Sequence, residues 1–191
     1  MKFIPLKIDY LKAGNEKQKK AYEALIKLGI IDKLQKFNPA LAGTIPLAID
    51  VESSDLDIIC ESQNLKDFES IVRSHFETFQ PFHCSTQNVR GIDSFVASFK
   101  AHGFEFEIFC QPVPVQNQFA MIHLNIESRL LDLAGKTAKI EIQKLKQQGL
   151  KTEPAFAKYF QIEGDPYLEL VKIADFSDRQ LLALIEKKAP R

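Results

Sequence analysis

The spacing of apolar residues predicts two amphipathic helices in the first half of the chain. The first begins after Asn15, which stands three residues before Gln18 in the arrangement of a capping box, and it ends at Gly29. The second runs from Asn64, a residue type that caps helices well, to Phe79. Within each helix the apolar residues recur three and four positions apart, so each helix has one face suited to a core.

Period-two alternation of apolar and polar residues predicts four β-strands. They cover residues 54–60, 82–89, 94–100 and 104–110. The last two strands are close together in the chain and are expected to form a hairpin that turns at Gly103. The first half of the chain therefore combines helices with a sheet.

From residue 118 onward the pattern is helical. Residues 118–134 and 137–149 form two predicted helices, separated by a break at Gly135. The order of elements predicts an α+β fold, with a mixed β-sheet packed with helices and an all-helical C-terminal third. We expect an α/β core with an N-terminal helix over residues 1–117 and a helical region, packed on that core, over residues 118–191.

Charge is unevenly distributed, although the chain as a whole is neutral. The 191 residues include 25 Lys and Arg and 25 Asp and Glu. Residues 1–36 carry a net charge of +5, residues 37–135 one of −8 and residues 136–191 one of +3. The acidic centre is either a solvated surface or a site that holds cations, with basic flanks suited to an anion.

Composition excludes several classes of protein. The eight glycines are spaced too widely for either of the common glycine-rich nucleotide-binding motifs. Cys60, Cys84 and Cys110 lack the spacing of zinc ligands and are interpreted as reduced thiols of a cytoplasmic protein, although a single disulfide is compatible with their number. The longest uncharged stretch, residues 108–126, contains two prolines and several amides, so no membrane helix is expected.

Two predicted strands each carry a pair of carboxylates two positions apart. Asp55 and Asp57 share one side of the first strand, and Glu105 and Glu107 share one side of the last. Clustered carboxylates repel one another and resist desolvation unless a cation compensates them. Mg²⁺ prefers oxygen ligands and bridges to phosphate oxygens. The pattern is typical either of exposed polar strand faces or of a metal site for phosphoryl chemistry.

The segment before the first of these strands adds a second feature. Ten residues separate Gly43-Thr44 from Asp55-Leu56-Asp57, and Glu107 follows on a later strand. This order and spacing resemble the signature of the nucleotidyltransferase superfamily, in which Gly-Ser or Gly-Gly precedes Asp-apolar-Asp/Glu and a further acid. Thr stands here in place of Ser or Gly, and the third acid is Glu107 in place of the commoner Asp, with Glu105 as the competing candidate.

A closer resemblance covers nearly the whole chain. The chain resembles an uncharacterised bacterial family of nucleotidyltransferase-like proteins, the domain-of-unknown-function family 4269. The longest match is Gly-Leu-Lys-Thr-Glu-Pro-Ala-Phe-Ala at residues 149–157. The shorter matches are Gly14-Asn15 with Gln18, residues 41–46, 54–60, 104–109 and 111–115, then Gln118, His123, Glu127, Arg129 and residues 164–167.

The superfamily resemblance implies a nucleotidyltransferase-like fold and a Mg²⁺-dependent transfer of a nucleoside monophosphate from a nucleoside triphosphate to an acceptor hydroxyl. The residues that would hold one or two Mg²⁺ ions and carry the catalysis are Asp55, Asp57 and Glu107. The residues that would bind the nucleotide are Gly43, Thr44 and Ser54. The acceptor stays open between a small molecule, a protein side chain and an RNA end, and the zero net charge argues against a large nucleic-acid surface.

Further polar residues are candidates for the acceptor side or for support of the site. They are Glu105, Gln118, His123, Glu127, Arg129 and Lys151. His123 and Glu127 lie four residues apart on one helix face, which is more typical of an ion pair or a satisfied buried histidine than of a metal ligand. Lys151 precedes a helix and is either an exposed lysine or a phosphate contact.

Two other functions compete with the enzyme hypothesis. The first is a module of the same fold that binds a nucleotide or a partner protein without turnover, for example in a toxin–antitoxin pair. The second is a structural domain whose carboxylates are only surface. The complete set of Asp55, Asp57 and Glu107 argues against a fully degenerate enzyme.

Overall fold

The structure is a computed structural model that describes residues 8–186 of the chain. Its helices are α1 Glu16–Leu28, α2 Ile30–Lys33, α3 Leu65–Phe76, α4 Phe119–Gln147, α5 Thr152–Phe160, α6 Pro166–Ala174 and α7 Asp178–Glu186. Its strands are β1 Ala40–Ala42, β2 Leu56–Glu61, β3 His83–Val89, β4 Ile92–Ala101 and β5 Phe104–Gln111. Short 3₁₀ helices lie at Ile8–Ala13, Gln35–Phe37 and Val115–Asn117.

The five strands form one mixed sheet in the order β1-β2-β5-β4-β3. The β2 and β5 strands are parallel, and every other neighbouring pair is antiparallel. The predicted α+β fold with a mixed sheet and a helical C-terminal region is confirmed. The parallel pair joins two strands that are far apart in the chain, so it places Asp57 of the first acidic pair beside Glu107 of the second.

One face of the sheet carries the Phe-rich core. Alternate residues of β5, Phe106, Ile108 and Cys110, are fully buried, as the period of a strand requires. The Phe106 ring stacks on that of Phe99 in β4, and the Phe99 ring stacks on that of Phe76 in α3, with centroids 5.3 and 5.1 Å apart. Burying one such aromatic side chain is worth about 1.5–3 kcal/mol, so this face stabilises the sheet strongly.

Side-chain caps begin the helices where the sequence predicts them. Asn15 and Gln18 form the expected capping box on α1, and Gly29 ends that helix in the left-handed conformation with φ 66°. Asn64 accepts from the backbone N–H of the third residue of α3. Asp165 caps α6 by accepting from the backbone N–H of Tyr167, the second helical residue, with Pro at the first helical position.

Several predicted boundaries differ from the structure by a few residues. Strand β2 begins at Leu56, so Asp55 lies in the preceding loop and not in the strand as expected. Helix α3 ends at Phe76, before Phe79. The predicted break at Gly135 is present: its φ of 78° and ψ of −168° are not helical, so α4 consists of two helical segments that meet at a kink. The three cysteines are free thiols.

The chain divides into two compact units. Of the described residues, 8–48 and 54–121 form the unit that holds the sheet, called here the sheet unit. Residues 49–53 and 122–186 form the other, called here the helical unit. Within residues 8–186, no helix combines the length and the apolar character that a membrane span requires.

Candidate active site

The centre of the site is a pair of carboxylates on neighbouring strands. Asp57 of β2 and Glu107 of β5 are register partners in the parallel pair. Because directly opposed residues of adjacent strands point to the same face, the two side chains lie side by side. Both residues are half-buried, and the face they share is the one opposite the aromatic core. Two like charges held this close favour a cation between them.

Gly43 brings backbone against this pair. It follows β1, whose last residue, Ala42, is the register partner of Asp57. Gly43 has φ 77°, which favours glycine. A Cβ at this position would overlap a carboxylate oxygen of Asp57 and lie 3.1 Å from its Cγ. The absence of a side chain at Gly43 is therefore what lets the turn lie directly on the Asp57 carboxylate.

Two hydroxyls lie next in the same turn and in the loop that enters β2. The Thr44 hydroxyl donates to the Ser54 hydroxyl over 3.0 Å, and both residues are half-buried. This bond links the Gly43 turn to the segment that carries Asp55, which is also half-buried. Hydroxyl hydrogens rotate to suit their acceptors, so this pair is suited to contacting phosphate oxygens.

The strand register distinguishes Glu107 from Glu105. Glu107 lies beside Asp57, whereas Glu105 lies two residues earlier on β5, where its partner on β4 is Lys100. Glu105 and Lys100 are both exposed. The geometry thus favours Glu107 as the ligand partner of Asp57 and gives Glu105 a cation of the protein as its neighbour.

The donor set fits a hard divalent cation. Within residues 8–186, no three His, Cys, Asp or Glu side chains are grouped closely enough to hold a metal ion by themselves. Mg²⁺ commonly binds through one or two carboxylates, completing its shell with water and substrate phosphate. The Asp57–Glu107 pair next to the Gly43 turn matches that mode.

Gln118, another predicted site residue, ties loops of the sheet unit together. Its side-chain amide donates to the carbonyl oxygens of Cys60 and Val113, at 2.8 and 2.9 Å. It is 2% exposed. Its donors therefore hold the ends of β2 and of the segment after β5.

In the helical unit, His123 of α4 pairs with Glu153 of α5. The Nε2 atom lies 2.8 Å from the carbonyl oxygen of Tyr167, so this nitrogen donates a hydrogen. The Nδ1 atom lies 3.1 Å from Oε1 of Glu153. His123 is therefore a buried histidine with partners on α5 and α6.

The two carboxyls near His123 are shifted in opposite directions. Burial raises the pKa of Glu127 well above its usual range, the charge of Glu153 adds to the rise, and Lys146 offsets part of it. Burial alone would raise the pKa of Glu153 too, but the hydrogen bond from His123 and further favourable interactions outweigh it, so this pKa is lowered. Burial thus favours the neutral form of Glu127, whereas the hydrogen bond from His123 favours the charged form of Glu153.

Arg129 and Lys151 have different surroundings. The Arg129 guanidinium donates to the carbonyl oxygens of Ala174 and Phe176, at 2.8 and 2.6 Å, and to the Asp178 carboxylate at 2.8 Å. It therefore holds the connection between α6 and α7. Lys151 is exposed at the N-cap position of α5.

Comparison with known proteins identifies the family. The sequence profile described as "Domain of unknown function (DUF4269)" matches residues 23–173. The chain belongs to the DUF4269 family. No curated protein matches its sequence.

Solved structures of similar fold are nucleotidyltransferases. Cid1, described as having RNA terminal uridylyl transferase activity, matches with a TM-score of 0.50 at 15% identity, over 82% of this chain and 48% of Cid1. A structure of the Cid1 poly(U) polymerase with Mg 3′-dATP bound gives the same values. The polymerase core of TRAMP, an RNA surveillance complex, gives 0.49 at 10% identity, over 94% of this chain and 59% of that one.

These likenesses concern the fold. The DUF4269 chain spans about half the length of the Cid1 chains it matches. Its mixed sheet, helices and helical C-terminal region match the nucleotidyltransferase-like fold.

Two residues of these polar networks were not singled out as candidates from the sequence. Glu153 lies within the 149–157 match, but only the folded structure shows that it is the partner of His123. Gln18 was recognised as a helix cap, and the structure adds contacts to a turn 27 and 28 positions further along the chain. Spacing along the sequence signals caps, but it carries no information on such distant contacts.

Proposed function

We propose that this protein is a Mg²⁺-dependent nucleotidyltransferase that moves a nucleoside monophosphate from a nucleoside triphosphate to an acceptor hydroxyl. The observation that carries the proposal is the in-register pair Asp57 and Glu107, with the Gly43 turn lying directly on the Asp57 carboxylate. The family membership gives the fold, and these three residues give it chemistry.

The triphosphate would lie along the Gly43 turn. A glycine in the left-handed conformation lets phosphate oxygens approach the backbone without meeting a side chain. The hydrogen-bonded hydroxyls of Thr44 and Ser54 would turn toward the same oxygens. The turn and the loop entering β2 would thereby fix the triphosphate next to the carboxylates.

The carboxylates would hold the metal and accept a proton. Asp57 and Glu107 would bind one or two Mg²⁺ ions, with water and triphosphate oxygens completing the metal shell. The bound metal would neutralise charge on the phosphates and on the leaving pyrophosphate. Asp57 or Glu107 would take the proton of the acceptor hydroxyl as it attacks the α-phosphorus in line.

The acceptor class stays open between a small molecule, a protein side chain and an RNA end. The helical region offers fewer candidates for it than the sequence suggested. His123 contacts Glu153 and the backbone carbonyl of Tyr167. Arg129 donates to backbone carbonyls in the α6–α7 connection. We therefore assign these two residues to the stability of the helical unit and leave exposed Lys151 as a candidate contact there.

Metal-dependent nucleotide binding tests the proposal. Each of the four nucleoside triphosphates is titrated with Mg²⁺ into wild-type protein, Asp57→Asn, Glu107→Gln and the matched control Glu105→Gln. At 100 times its Kd, a ligand should stabilise the wild type by about 2.7 kcal/mol. We expect Asp57→Asn and Glu107→Gln to abolish this gain and Glu105→Gln to retain most of it. A wild-type melting temperature that no triphosphate changes would contradict the proposal.

Product analysis separates turnover from binding alone. Wild-type protein and Asp57→Asn are each incubated with lysate, Mg²⁺ and the triphosphate that binds, and nucleotidylated products are sought by mass spectrometry. A product that only the wild type forms supports the enzyme. Tight Mg²⁺-dependent binding with no such product would identify a nucleotide-binding module of the same fold.

A further inference from the structure

One buried polar side chain of the sheet unit is fully committed to hydrogen bonds. Gln18 of α1 is 7% exposed. Its Oε1 accepts from the backbone N–H of Asn15 at 3.0 Å. Its Nε2 donates to the carbonyl oxygen of Ile45 at 2.9 Å and to that of Pro46 at 3.3 Å. One amide group thus connects the start of α1 to a turn far along the chain.

That turn is the one that carries the proposed phosphate-binding residues. Ile45 and Pro46 directly follow Gly43 and Thr44. The Ile45 carbonyl also accepts from the backbone N–H of Ala48 at 3.0 Å. It therefore accepts two hydrogen bonds, one from Gln18 and one from Ala48. Gln18 therefore fixes the orientation of two consecutive peptide groups next to the Gly43 backbone.

The residues around Gln18 are shaped to hold it. A Cβ at Gly14 would overlap the Gln18 Oε1 atom and lie 2.7 and 2.8 Å from its Cδ and Cβ, so only glycine leaves room there. Asn15 closes the capping box by accepting from the Gln18 backbone N–H at 2.8 Å. The Gly14-Asn15-x-x-Gln18 segment thus caps the helix and also fixes the orientation of the Gln18 side-chain amide.

The chemistry of the contact requires glutamine. The side chain must accept one hydrogen bond and donate two, which an amide does and a carboxylate of the same shape does not. Glutamate at this position would turn an acceptor toward the carbonyl oxygens of Ile45 and Pro46. Methionine would fill a similar volume and make none of these bonds.

We propose that Gln18 is a positioning residue of the nucleotide site. It holds the turn of residues 43–46 in the conformation that places Gly43 against Asp57, so triphosphate affinity depends on a residue on α1 that need not touch the nucleotide. This inference rests on the proposed function, since it assigns the control of the same site.

The test compares affinity with stability in the full chain. The variants are Gln18→Glu and Gln18→Met. The first control is Gln63→Glu, because exposed Gln63 also donates to a loop carbonyl, that of Pro112 at 3.3 Å. The second is Leu28→Ala, a core truncation on the same helix. Each protein is titrated with Mg²⁺ and the triphosphate that binds wild type, at a temperature where circular dichroism shows it folded.

We expect Gln18→Glu to weaken triphosphate binding tenfold or more and Gln18→Met to weaken it less, with Gln63→Glu at the wild-type Kd. Leu28→Ala should lower the melting temperature and leave Kd unchanged, which a merely structural role of Gln18 would not reproduce. Hydrogen exchange at residues 43–48 should be faster in both Gln18 variants, with or without nucleotide.

Different results overturn the two proposals separately. If wild type binds triphosphate in an Asp57-dependent way and both Gln18 variants bind equally well, the positioning role is wrong. It is also wrong if Leu28→Ala loses affinity in proportion to its stability as the Gln18 variants do. If wild type binds no triphosphate, the proposed function fails and the role of Gln18 in nucleotide binding fails with it, whatever hydrogen exchange shows.

Discussion

The sheet unit and the helical unit both bring carboxylates close to polar neighbours, but they compensate the charge differently. On the sheet, Asp57 and Glu107 stand side by side on a half-buried face. In the helical unit, Glu153 pairs with His123, and Glu127 is buried with 4% of its surface exposed. On the sheet, two carboxylates of neighbouring strands lie side by side. In the helical unit, a carboxylate lies next to an imidazole.

The difference teaches which cluster is suited to a ligand. A buried His–carboxylate pair that also reaches a backbone carbonyl is a closed network, and its worth is structural. Two carboxylates side by side, next to a turn whose glycine has no side chain, would be stabilised by a bound cation. That cation would also bind the phosphate of the substrate. The sequence favoured Asp57 and Glu107 as catalytic residues and left His123 and Glu127 as further candidates, more typical of a structural pair.

The largest expected effect is that of Gly43→Ala. The new Cβ would overlap the Asp57 carboxylate, and alanine at φ 77° is strained. We expect loss of metal-dependent triphosphate binding and a destabilisation of about 1–3 kcal/mol from the backbone alone. Calorimetric titration and denaturant unfolding measure the two effects.

Gly103→Ala is the matched control for this change. Gly103 has φ 83° in the β4–β5 turn, and a Cβ there would meet nothing within 4 Å. It should show the same backbone strain with unchanged triphosphate affinity. Equal loss of affinity in both variants would mean that the closeness of Gly43 to Asp57 does not matter for binding.

An intermediate effect is expected for His123→Leu in the helical unit. It leaves the Glu153 carboxylate and the Tyr167 carbonyl without their imidazole partner, at a cost of about 2–3 kcal/mol. The pKa of Glu153 is lowered in the folded protein, so its contribution is present above its unfolded pKa and is lost as pH falls through the folded value. The stability difference between wild type and variant should therefore shrink in acid.

The control for His123→Leu is an exposed ion pair in the same unit. Lys144 pairs with Glu141 at 2.8 Å on the surface, so Lys144→Met should cost less than about 0.5 kcal/mol. Urea unfolding at pH 7 and pH 3.5 compares the two variants. If His123→Leu loses the same unfolding free energy at both pH values, the interaction between His123 and the charged Glu153 does not contribute to stability.

The smallest change is expected for Glu127→Gln. Burial, followed by the charge of Glu153, holds the pKa of Glu127 well above its usual range. A raised folded pKa means that this group's stabilisation is complete below its unfolded pKa and declines as pH rises toward the folded value. Near pH 4, Glu127→Gln should lower the free energy of unfolding by less than about 1 kcal/mol. At pH 8 this difference from wild type should be smaller or reversed. A stability difference between Glu127→Gln and wild type that stays constant from pH 4 to pH 8 would contradict the raised pKa of Glu127.

Local patterns predicted the elements because they are encoded locally. The caps at Asn15 and Asn64 and the alternation in β5 each depend on neighbours a few residues away. The acids of β2 and β5 were expected to meet, and the parallel register places Asp57 beside Glu107. The choice between Glu105 and Glu107 needed that register, which no spacing within one strand contains.

Long-range polar contacts escaped prediction for a physical reason. His123 finds Glu153 on another helix, and Gln18 finds the carbonyls of Ile45 and Pro46, because tertiary packing brings these groups together. The position of Asp55 outside β2 likewise depends on where sheet pairing ends. Such details are set by the folded chain as a whole.

The most direct test of the central claim is a crystal structure with Mn²⁺ and a non-hydrolysable triphosphate, using anomalous scattering to locate the metal. We predict a peak coordinated by carboxylate oxygens of Asp57 and Glu107 at about 2.1–2.2 Å, with the triphosphate along the Gly43 turn. Metal bound at Glu105 or elsewhere, with Asp57 and Glu107 left uncoordinated, would contradict the account.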